Sequence, residues 1–189
     1  TTDTNLTIGG NLVIAEAAMP TLSTGAGTAG NVTVTGTTNG TAGGVAETLT
    51  VQAGTGTVTF TGNVGNNTDA LELEALTLTN AAATTFSGTL DLANALTQTN
   101  AATGATTFTG AVSVGSASLK GTSYAINNSF ASGGTTAITN SGVITKNATG
   151  NITSTGAFST TGDVNLAANI TTTDTNLTIG GNLVIAEAA

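Results

Sequence analysis

The stretch TTDTNLTIGGNLVIAEAA at residues 1–18 returns without a change at residues 172–189. The second copy therefore begins at an offset of 172 − 1 = 171 in the numbering. Self-similarity at a fixed period is typical of repeat architectures, in which each unit stacks on its neighbour and shares a continuous core. The sequence predicts that residues 1–171 form one repeat unit and that residues 172–189 begin the next identical unit.

The composition favours a thin core built from many similar layers. Apolar residues make up 39% of the 189 positions but aromatic residues only 3%, so most apolar side chains are small or β-branched. Such side chains suit layered strands better than a globular centre. Charged residues make up 6%, against about 25% in an average protein. Disorder is the alternative for such a composition, and the alternation described next argues against it.

Apolar and hydroxylated residues alternate over long stretches, as in NVTVTG at 31–36, ETLTVQA at 47–53 and GTVTFTGNV at 56–64. This period of two predicts strands with one buried face. The stretch DALELEALTLT at 69–79 also contains good helix formers, so a helix is the alternative there. Alternation of its leucines, with a change of phase at Ala75, favours a strand.

Shorter internal sequence repeats, which we call echoes, give the length of one coil. Residues 86–92 match residues 108–114 at a spacing of 108 − 86 = 22, and Phe130 follows at the same interval. Ile138 precedes Phe158 by 158 − 138 = 20. A further set repeats at 177 − 158 = 19, pairing Phe158, Gly162, Val164 and Leu166 with Leu177, Gly181, Leu183 and Ile185.

Coils of roughly 19–22 residues with two or three short strands each predict an all-β fold, a right-handed parallel β-solenoid or β-helix. Within it we expect Phe86, Phe108 and Phe130 to stack in register. Asparagine tolerates left-handed backbone and can form amide ladders, so corners are expected at Asn80, Asn100, Asn140 and Asn169.

Three short motifs resemble the coils of filamentous-haemagglutinin-like and autotransporter-passenger β-strand-repeat proteins. They are Phe-x-Gly-x-Leu-x-Leu at 86–92, ITNSG at 138–142 and TGDVNL at 161–166, and the likeness covers most of residues 31–189. In that family such tracts form rod-like bacterial surface or secreted filaments, stalks and adhesins.

The resemblance implies a structural segment of a long filament or stalk, located outside the cell or at its surface. Its partners would be copies of itself, joined head to tail either as a covalent tandem array or as stacked subunits. An adhesin that binds carbohydrate or matrix is the alternative.

Charge and cysteine content exclude several functional classes. The net charge is −8, with two Lys or Arg residues in total and no His. No basic patch exists for phosphates, so we expect no nucleic-acid partner. We expect both basic residues, Lys120 and Lys146, on the surface. Cysteine is absent, which fits a protein exported unfolded, and no apolar run approaches the roughly 20 residues of a transmembrane segment.

No pattern singles out catalytic, cofactor-binding or metal-binding residues, so we expect no enzyme and no cofactor. The best acidic cluster is Asp69, Glu72 and Glu74, for which a solvated acidic face is expected and a weak Ca²⁺ site is the alternative. A polysaccharide-acting β-helix would place carboxylates beside Lys, Arg or His. The remaining aspartates are scattered over turns and outward positions: Asp3, Asp91, Asp163 and Asp174.

Threonine pairs suggest a function of another class, because a flat face of Thr-x-Thr pairs on a solenoid could match an ice lattice. The gaps between the pairs are irregular, and we therefore expect no thermal hysteresis. The pairs are Thr33/Thr35, Thr48/Thr50, Thr57/Thr59/Thr61, Thr77/Thr79 and Thr107/Thr109. Asn-x-Thr/Ser tripeptides also permit glycosylation, at Asn31, Asn147, Asn151 and Asn176 among others.

Overall fold

The computed structural model describes residues 4–27, 30–41, 47–66, 73–99 and 104–186. Within these ranges the chain forms 22 strands and no helix, and its paired strands run parallel from one coil to the next. The fold is a β-solenoid, as predicted. Each coil contributes up to three strands, which form three walls around a common axis.

Wall one is a continuous nine-stranded sheet. With strands numbered in chain order, it contains β1 (Leu6–Ile8), β4 (Val32–Val34), β7 (Thr57–Phe60), β9 (Ala83–Phe86), β11 (Ala105–Phe108), β13 (Ser123–Ile126), β16 (Val143–Lys146), β19 (Asp163–Leu166) and β22 (Leu183–Ile185).

Walls two and three share two long strands that bend from one wall into the other, β10 (Leu90–Gln98) and β12 (Val112–Gly121). The other strands of wall two are β2 (Leu12–Val13), β5 (Thr38–Asn39), β14 (Phe130–Ser132), β17 (Ile152–Ser154) and β20 (Ile170–Thr172). Those of wall three are β3 (Thr21–Ser23), β6 (Thr48–Gln52), β8 (Ala75–Asn80), β15 (Thr136–Asn140), β18 (Phe158–Thr160) and β21 (Leu177–Ile179).

The alternating sequence decides which side chains enter the core. In β4, Val32 and Val34 are buried while Thr33 between them is partly exposed. Successive side chains of a strand point to opposite faces, so every wall sends one apolar row inward and one hydroxylated row outward. Because the strands keep register, each inward position becomes a column that runs along the rod.

The coil length varies along the chain. In wall one, register partners in the first coils are offset by 26 in the numbering, as in the pair Leu6–Val32 (32 − 6 = 26). The next offset, from Thr84 to Thr106, is 106 − 84 = 22, and later offsets lie between 18 and 20. The predicted coil length is therefore close to that of the second half of the chain, and longer segments between strands enlarge the first coils.

A ladder of stacked rings lies inside wall one. The centroids of Phe60 and Phe86 are 5.4 Å apart and those of Phe86 and Phe108 are 5.3 Å apart, with planes inclined by only 3° and 7°. Phe86 and Phe108 are also register partners. The predicted stacking of these two residues is confirmed, and Phe60 extends the ladder toward the amino terminus.

The prediction for the third member, Phe130, was wrong. Phe130 lies on wall two in register with Val112, and it meets Phe108 edge-on, with centroids 5.8 Å apart and planes at 74°. The register offset after Phe108 is only 126 − 108 = 18, and Ile126 therefore takes the next place in the wall-one column. By the time the chain reaches Phe130 it has already passed the corner.

The other echoes had mixed outcomes. Ile138 is in register with Thr160 rather than with Phe158, so the predicted partner was wrong by two positions. The echo at 19 is confirmed, because the register joins Phe158 to Leu177. Its remaining apolar members pair in the same way, Val164 with Leu183 and Leu166 with Ile185.

The strand predicted over 69–79 is confirmed where the structure describes it. Residues 75–80 form β8, while residues 67–72 lie outside the described ranges. Leu73 and Leu76 are both buried, with Glu74 and Ala75 between them. This double step is the predicted change of phase at Ala75, and it restores the inward direction of the leucines that follow.

Asparagine side chains join successive coils at the corners. Asn5 Oδ1 accepts the Asn31 backbone N–H at 3.0 Å, and Asn31 Oδ1 accepts the Thr57 N–H at 2.9 Å. The same bond recurs between Asn11 and Thr37 and between Asn63 and Thr89. Each such bond satisfies a corner N–H of the following coil.

Asn80 and Asn140 end strands β8 and β15, as expected of corner residues, but neither they nor Asn169 use the left-handed backbone that asparagine tolerates. Among the described non-glycine residues, positive φ occurs at Ala17 and Asp174 alone. The side chains of Asn80 and Asn140 donate to the carbonyl oxygens of Ala26 and Gly142, whereas the backbone N–H of Asn169 donates to Asn151 Oδ1. Asn100 lies outside the described residues.

Candidate functional surfaces

The predicted acidic cluster is only partly described. Asp69 and Glu72 lie outside the described residues. Glu74 is partly buried, and its Oε1 accepts a hydrogen bond from Asn94 Nδ2 at 2.9 Å. Across the described ranges no three His, Cys, Asp or Glu residues come together as metal ligands would.

The remaining aspartates are spread over the rod. Asp163 Oδ1 accepts the Asn182 backbone N–H at 2.7 Å, so this carboxylate serves as a corner acceptor. Asp174 is exposed with φ 52°, and Asp3 lies outside the described residues. Asp91 lies in wall two beside a surface cleft.

This cleft has a volume of about 210 Å³ and opens on wall two. Its lining is mixed: Leu90 and Ala111 contribute apolar surface, and the polar residues are Asn63, Asn66, Thr89, Asp91 and Ser113. Gly65 forms part of its floor with φ 73°, and a Cβ atom there would lie 1.6 Å from the Asp91 carbonyl oxygen. Only glycine fits this position, because both its backbone conformation and the close approach exclude a side chain.

Lys146 contradicts the expected surface position. Its side chain points inward from β16 and is only 1% exposed. The ammonium Nζ donates to the carbonyl oxygens of Asn147 and Thr149, each at 2.7 Å. Burial lowers the pKa of Lys146 below its ordinary value. Because both acceptors belong to the segment that follows β16, the lysine holds this segment against the core. Lys120, in contrast, is exposed as expected.

A second buried polar group surrounds Gln98. Gln98 Oε1 accepts hydrogen bonds from Thr106 Oγ1 at 3.2 Å and from the Tyr124 hydroxyl at 3.4 Å. Burial raises the pKa of Tyr124 above its ordinary value. In the same inward column Thr84 Oγ1 is buried without a hydrogen-bond partner. These residues lie inside the rod and offer no access to a ligand.

All five phenylalanines and the single tyrosine are at most 1% exposed. Stacking of sugar rings or bases needs an aromatic face at the surface. The sequence contains no tryptophan, so no aromatic side chain of this chain offers such a face.

Wall one carries an ordered hydroxylated surface. The outward residues Thr7, Thr33, Thr59, Thr85 and Thr107 are register partners in consecutive coils. A second outward column runs beside it, formed by Thr35, Thr61, Ser87 and Thr109, whose backbone N–H groups bond to the coil before. We name these two columns the threonine face. The irregular sequence gaps therefore do not disturb the register, because segments between the walls absorb them.

The last described coil leaves apolar side chains open at the carboxyl end of the rod. Leu177 is 48% exposed, Leu183 47% and Ile185 68%. They belong to the second copy of the repeated string, which continues the existing ladders: β21 pairs with β18 and β22 pairs with β19.

Comparisons with protein-family models, curated proteins and solved structures found no match. In the described part of the chain, no helix has the length and apolar character needed to cross a membrane.

Proposed function

We propose that the chain is a structural segment of a long extracellular filament or surface stalk built from stacked β-solenoid repeats. The observation that carries this proposal is the position of the second copy of the string. It adds strands to walls three and one without interrupting either ladder. A further repeat could continue from there in the same way.

Hydrogen bonds between coils would supply the strength of such a filament. Each bond contributes only about 0.5–1.5 kcal/mol net, but every coil forms them with the coils on both sides. The core beneath the walls is mainly apolar, and only 6% of all residues are charged. Stability should therefore depend little on salt.

The proposed partner is another copy of the same repeat, placed head to tail. The exposed side chains of Leu177, Leu183 and Ile185 need cover, and open strand edges favour further pairing. We favour a covalent tandem array over stacked subunits, because an identical string within one chain is what tandem duplication produces. Sizing a native polymer in denaturant separates the two, since stacked subunits would dissociate.

The test of the filament proposal is the length of chains that carry one, two and three whole repeats. Electron microscopy should show rods of constant width that lengthen by roughly 37 Å per repeat, given a coil spacing of about 4.8 Å. Compact particles that grow in all directions, or separate beads on a flexible string, would contradict the proposal.

An adhesin is the alternative, with the Asp91 cleft as the place for a carbohydrate. The polar side chains in its mixed lining supply hydrogen-bond partners, but the aromatic residues are buried. Glycan-array binding that is lost in Asp91→Ala and retained in Asp163→Ala would support this role. A chain that binds no glycan at all would argue for a passive stalk.

The threonine face supports ice binding as a second candidate function. Its two columns repeat along the rod at about 4.8 Å, and none of its hydroxyl groups is bonded to another described residue. Regular, unpartnered hydroxyls on a flat wall can order water in a lattice. The pairs Thr33/Thr35, Thr59/Thr61 and Thr107/Thr109 align on wall one, and the first column ends where Ala125 follows Thr107. The pairs Thr48/Thr50 and Thr77/Thr79 lie on wall three.

Thermal hysteresis of the purified chain tests the second candidate. If the face binds ice, replacing the central Thr59 and Thr85 by Tyr should abolish hysteresis. The matched control replaces Thr77 and Thr97 by Tyr in the same way. These two residues occupy an outward column of wall three, and the control variant should retain hysteresis. Absence of hysteresis in the unmodified chain would eliminate ice binding and leave the filament proposal intact.

A further inference from the structure

The two copies of the repeated string occupy different walls. In the first copy, Leu6–Ile8 lies on wall one and Leu12–Val13 on wall two. In the second copy, the equivalent Leu177–Ile179 lies on wall three and Leu183–Ile185 on wall one. The same residues have therefore moved by one wall relative to the axis.

Counting strands gives the size of the shift. From β1 to β19 the chain passes through eight consecutive wall-one strands, which is seven complete coils. It then adds β20 on wall two and reaches wall three with β21, which is the first strand of the second copy and the equivalent of β1. One repeat thus comprises seven and two-thirds coils, not a whole number.

Glycine at the corners explains why one string fits two positions. The string turns at Gly10, which lies below Gly36 at the corner between walls one and two. Its equivalent, Gly181, lies above Gly162 at the corner between walls three and one. A Cβ atom on Gly36 would lie 2.5 Å from the Gly10 carbonyl carbon, and one on Gly181 would lie 2.5 Å from that of Gly162. Both corners are columns of close backbone contacts, and a Gly-Gly turn suits each.

The inward side chains of the string also suit both positions. Leu6 and Ile8 stack on Val32 and Val34 in wall one, and their equivalents Leu177 and Ile179 stack on Phe158 and Thr160 in wall three. Alternate aliphatic side chains fill any of these columns, because each wall presents the same inward spacing of two residues. The coil beneath the string, rather than the string itself, selects the wall.

We infer that successive repeats of the array are joined with a rotation of one third of a turn. This inference rests on the proposed tandem filament and specifies the interface between its units. The receiving surface consists of β20, β21 and β22. On it, the next repeat places its equivalents of β3, β4 and β5, and so covers the apolar side chains exposed at Leu177, Leu183 and Ile185.

The rotation determines how the filament presents its surface. Each repeat advances roughly 37 Å, and the same face returns only after three repeats, at roughly 110 Å. Any feature fixed in the repeat, such as the Asp91 cleft or the threonine face, is therefore displayed in three directions. A filament with this arrangement has no single functional side.

Engineered disulfides test the position of the second string in the 189-residue chain, which has no cysteine of its own. Ser159 and Thr178 are register partners on the outside of wall three, close enough for a disulfide. The double variant Ser159→Cys/Thr178→Cys should lose two hydrogens on oxidation, by intact mass. The control variant, Asn165→Cys/Thr178→Cys, should keep both hydrogens. Its two cysteines would form a disulfide only if the string lay on wall one. A bond in the control alone, or in neither variant, would overturn the inference.

Electron microscopy of a chain with three consecutive repeats tests the rotation itself. We expect adjacent repeats to superpose after a one-third turn about the rod axis. Rods in which every repeat faces the same way would overturn the rotation while leaving the filament proposal intact. Particles that are not rods would reject the filament proposal, and the disulfide pattern would then decide the local placement alone.

Discussion

Replacing Phe86 by alanine tests how far the ring ladder stabilises the rod. Phe86 is 1% exposed, with one ring 5.4 Å away on one side and another 5.3 Å away on the other. Removing a buried phenylalanine side chain costs about 3–5 kcal/mol, and a ring contact contributes about 0.5–1.5 kcal/mol beyond burial. We therefore expect Phe86→Ala to lower the free energy of unfolding by about 4–5 kcal/mol, near the upper end of the range for a buried phenylalanine.

The matched control is Phe130→Ala. Phe130 is equally buried, at 1% exposure, but it has a single edge-on ring contact. The two variants leave cavities of the same nominal size and differ by one ring contact. We expect Phe130→Ala to cost less than Phe86→Ala by about 0.5–1.5 kcal/mol.

Urea unfolding of the full chain, followed by far-UV circular dichroism, measures both variants. Comparable m-values would show that the compared transitions expose similar surface. Should an alanine variant fail to fold, Phe86→Leu and Phe130→Leu provide the same comparison with smaller cavities. An equal or larger loss at Phe130 would refute the contribution that we assign to the stacked ladder.

Three further perturbations test individual positions by urea unfolding. Thr84→Val should raise the free energy of unfolding by about 1–2 kcal/mol, because it removes a buried hydroxyl that has no hydrogen-bond partner. The control Thr106→Val removes the hydrogen bond to Gln98 and should not stabilise the chain. Equal effects of the two substitutions would contradict the cost assigned to the Thr84 hydroxyl. Burial places the folded-state pKa of Lys146 below its unfolded value. In the pH range between the two values the unfolded chain binds more protons, so stability should rise as the pH increases toward the ordinary lysine pKa of about 10.4. Lys146→Met should flatten that rise, and an unchanged slope would rule out the lysine as its source. Gly65→Ala should lower the free energy of unfolding by more than about 1 kcal/mol, because Gly65 has φ 73°. The control Gly27→Ala has open space around its Cβ position and should be nearly neutral. Equal losses of stability would contradict the steric role of Gly65.

The buried lysine shows where two sequence rules conflict. Ile144 and Lys146 have the same parity in VITK, so the period of two directs both side chains inward. Charge directs a lysine outward, and the expectation of a surface position followed the charge. In the folded chain the parity prevails, because two carbonyl oxygens close to β16 accept from the ammonium group and reduce the cost of burying it.

The candidate surfaces could be predicted from the sequence only as residue types. The Thr-x-Thr pairs are visible in the sequence, but their alignment in wall one depends on coils of unequal length keeping the same register. The Asp91 cleft brings together residues from three coils, Asn63, Asp91 and Ser113 among them. No local pattern could have placed these residues beside one another.

The sequence alone determined the parallel winding, the inward and outward faces of the strands, and the long period between the two identical strings, because side-chain parity and repetition are local properties of the chain. Only the tertiary structure decided which wall each strand joins. It moved Phe130 from the ladder to wall two, aligned the threonines, and placed identical strings on different walls. The physical reason is that a strand takes its register from the coil beneath it, and the number of residues between walls, rather than the strand's own composition, decides which part of that coil it meets.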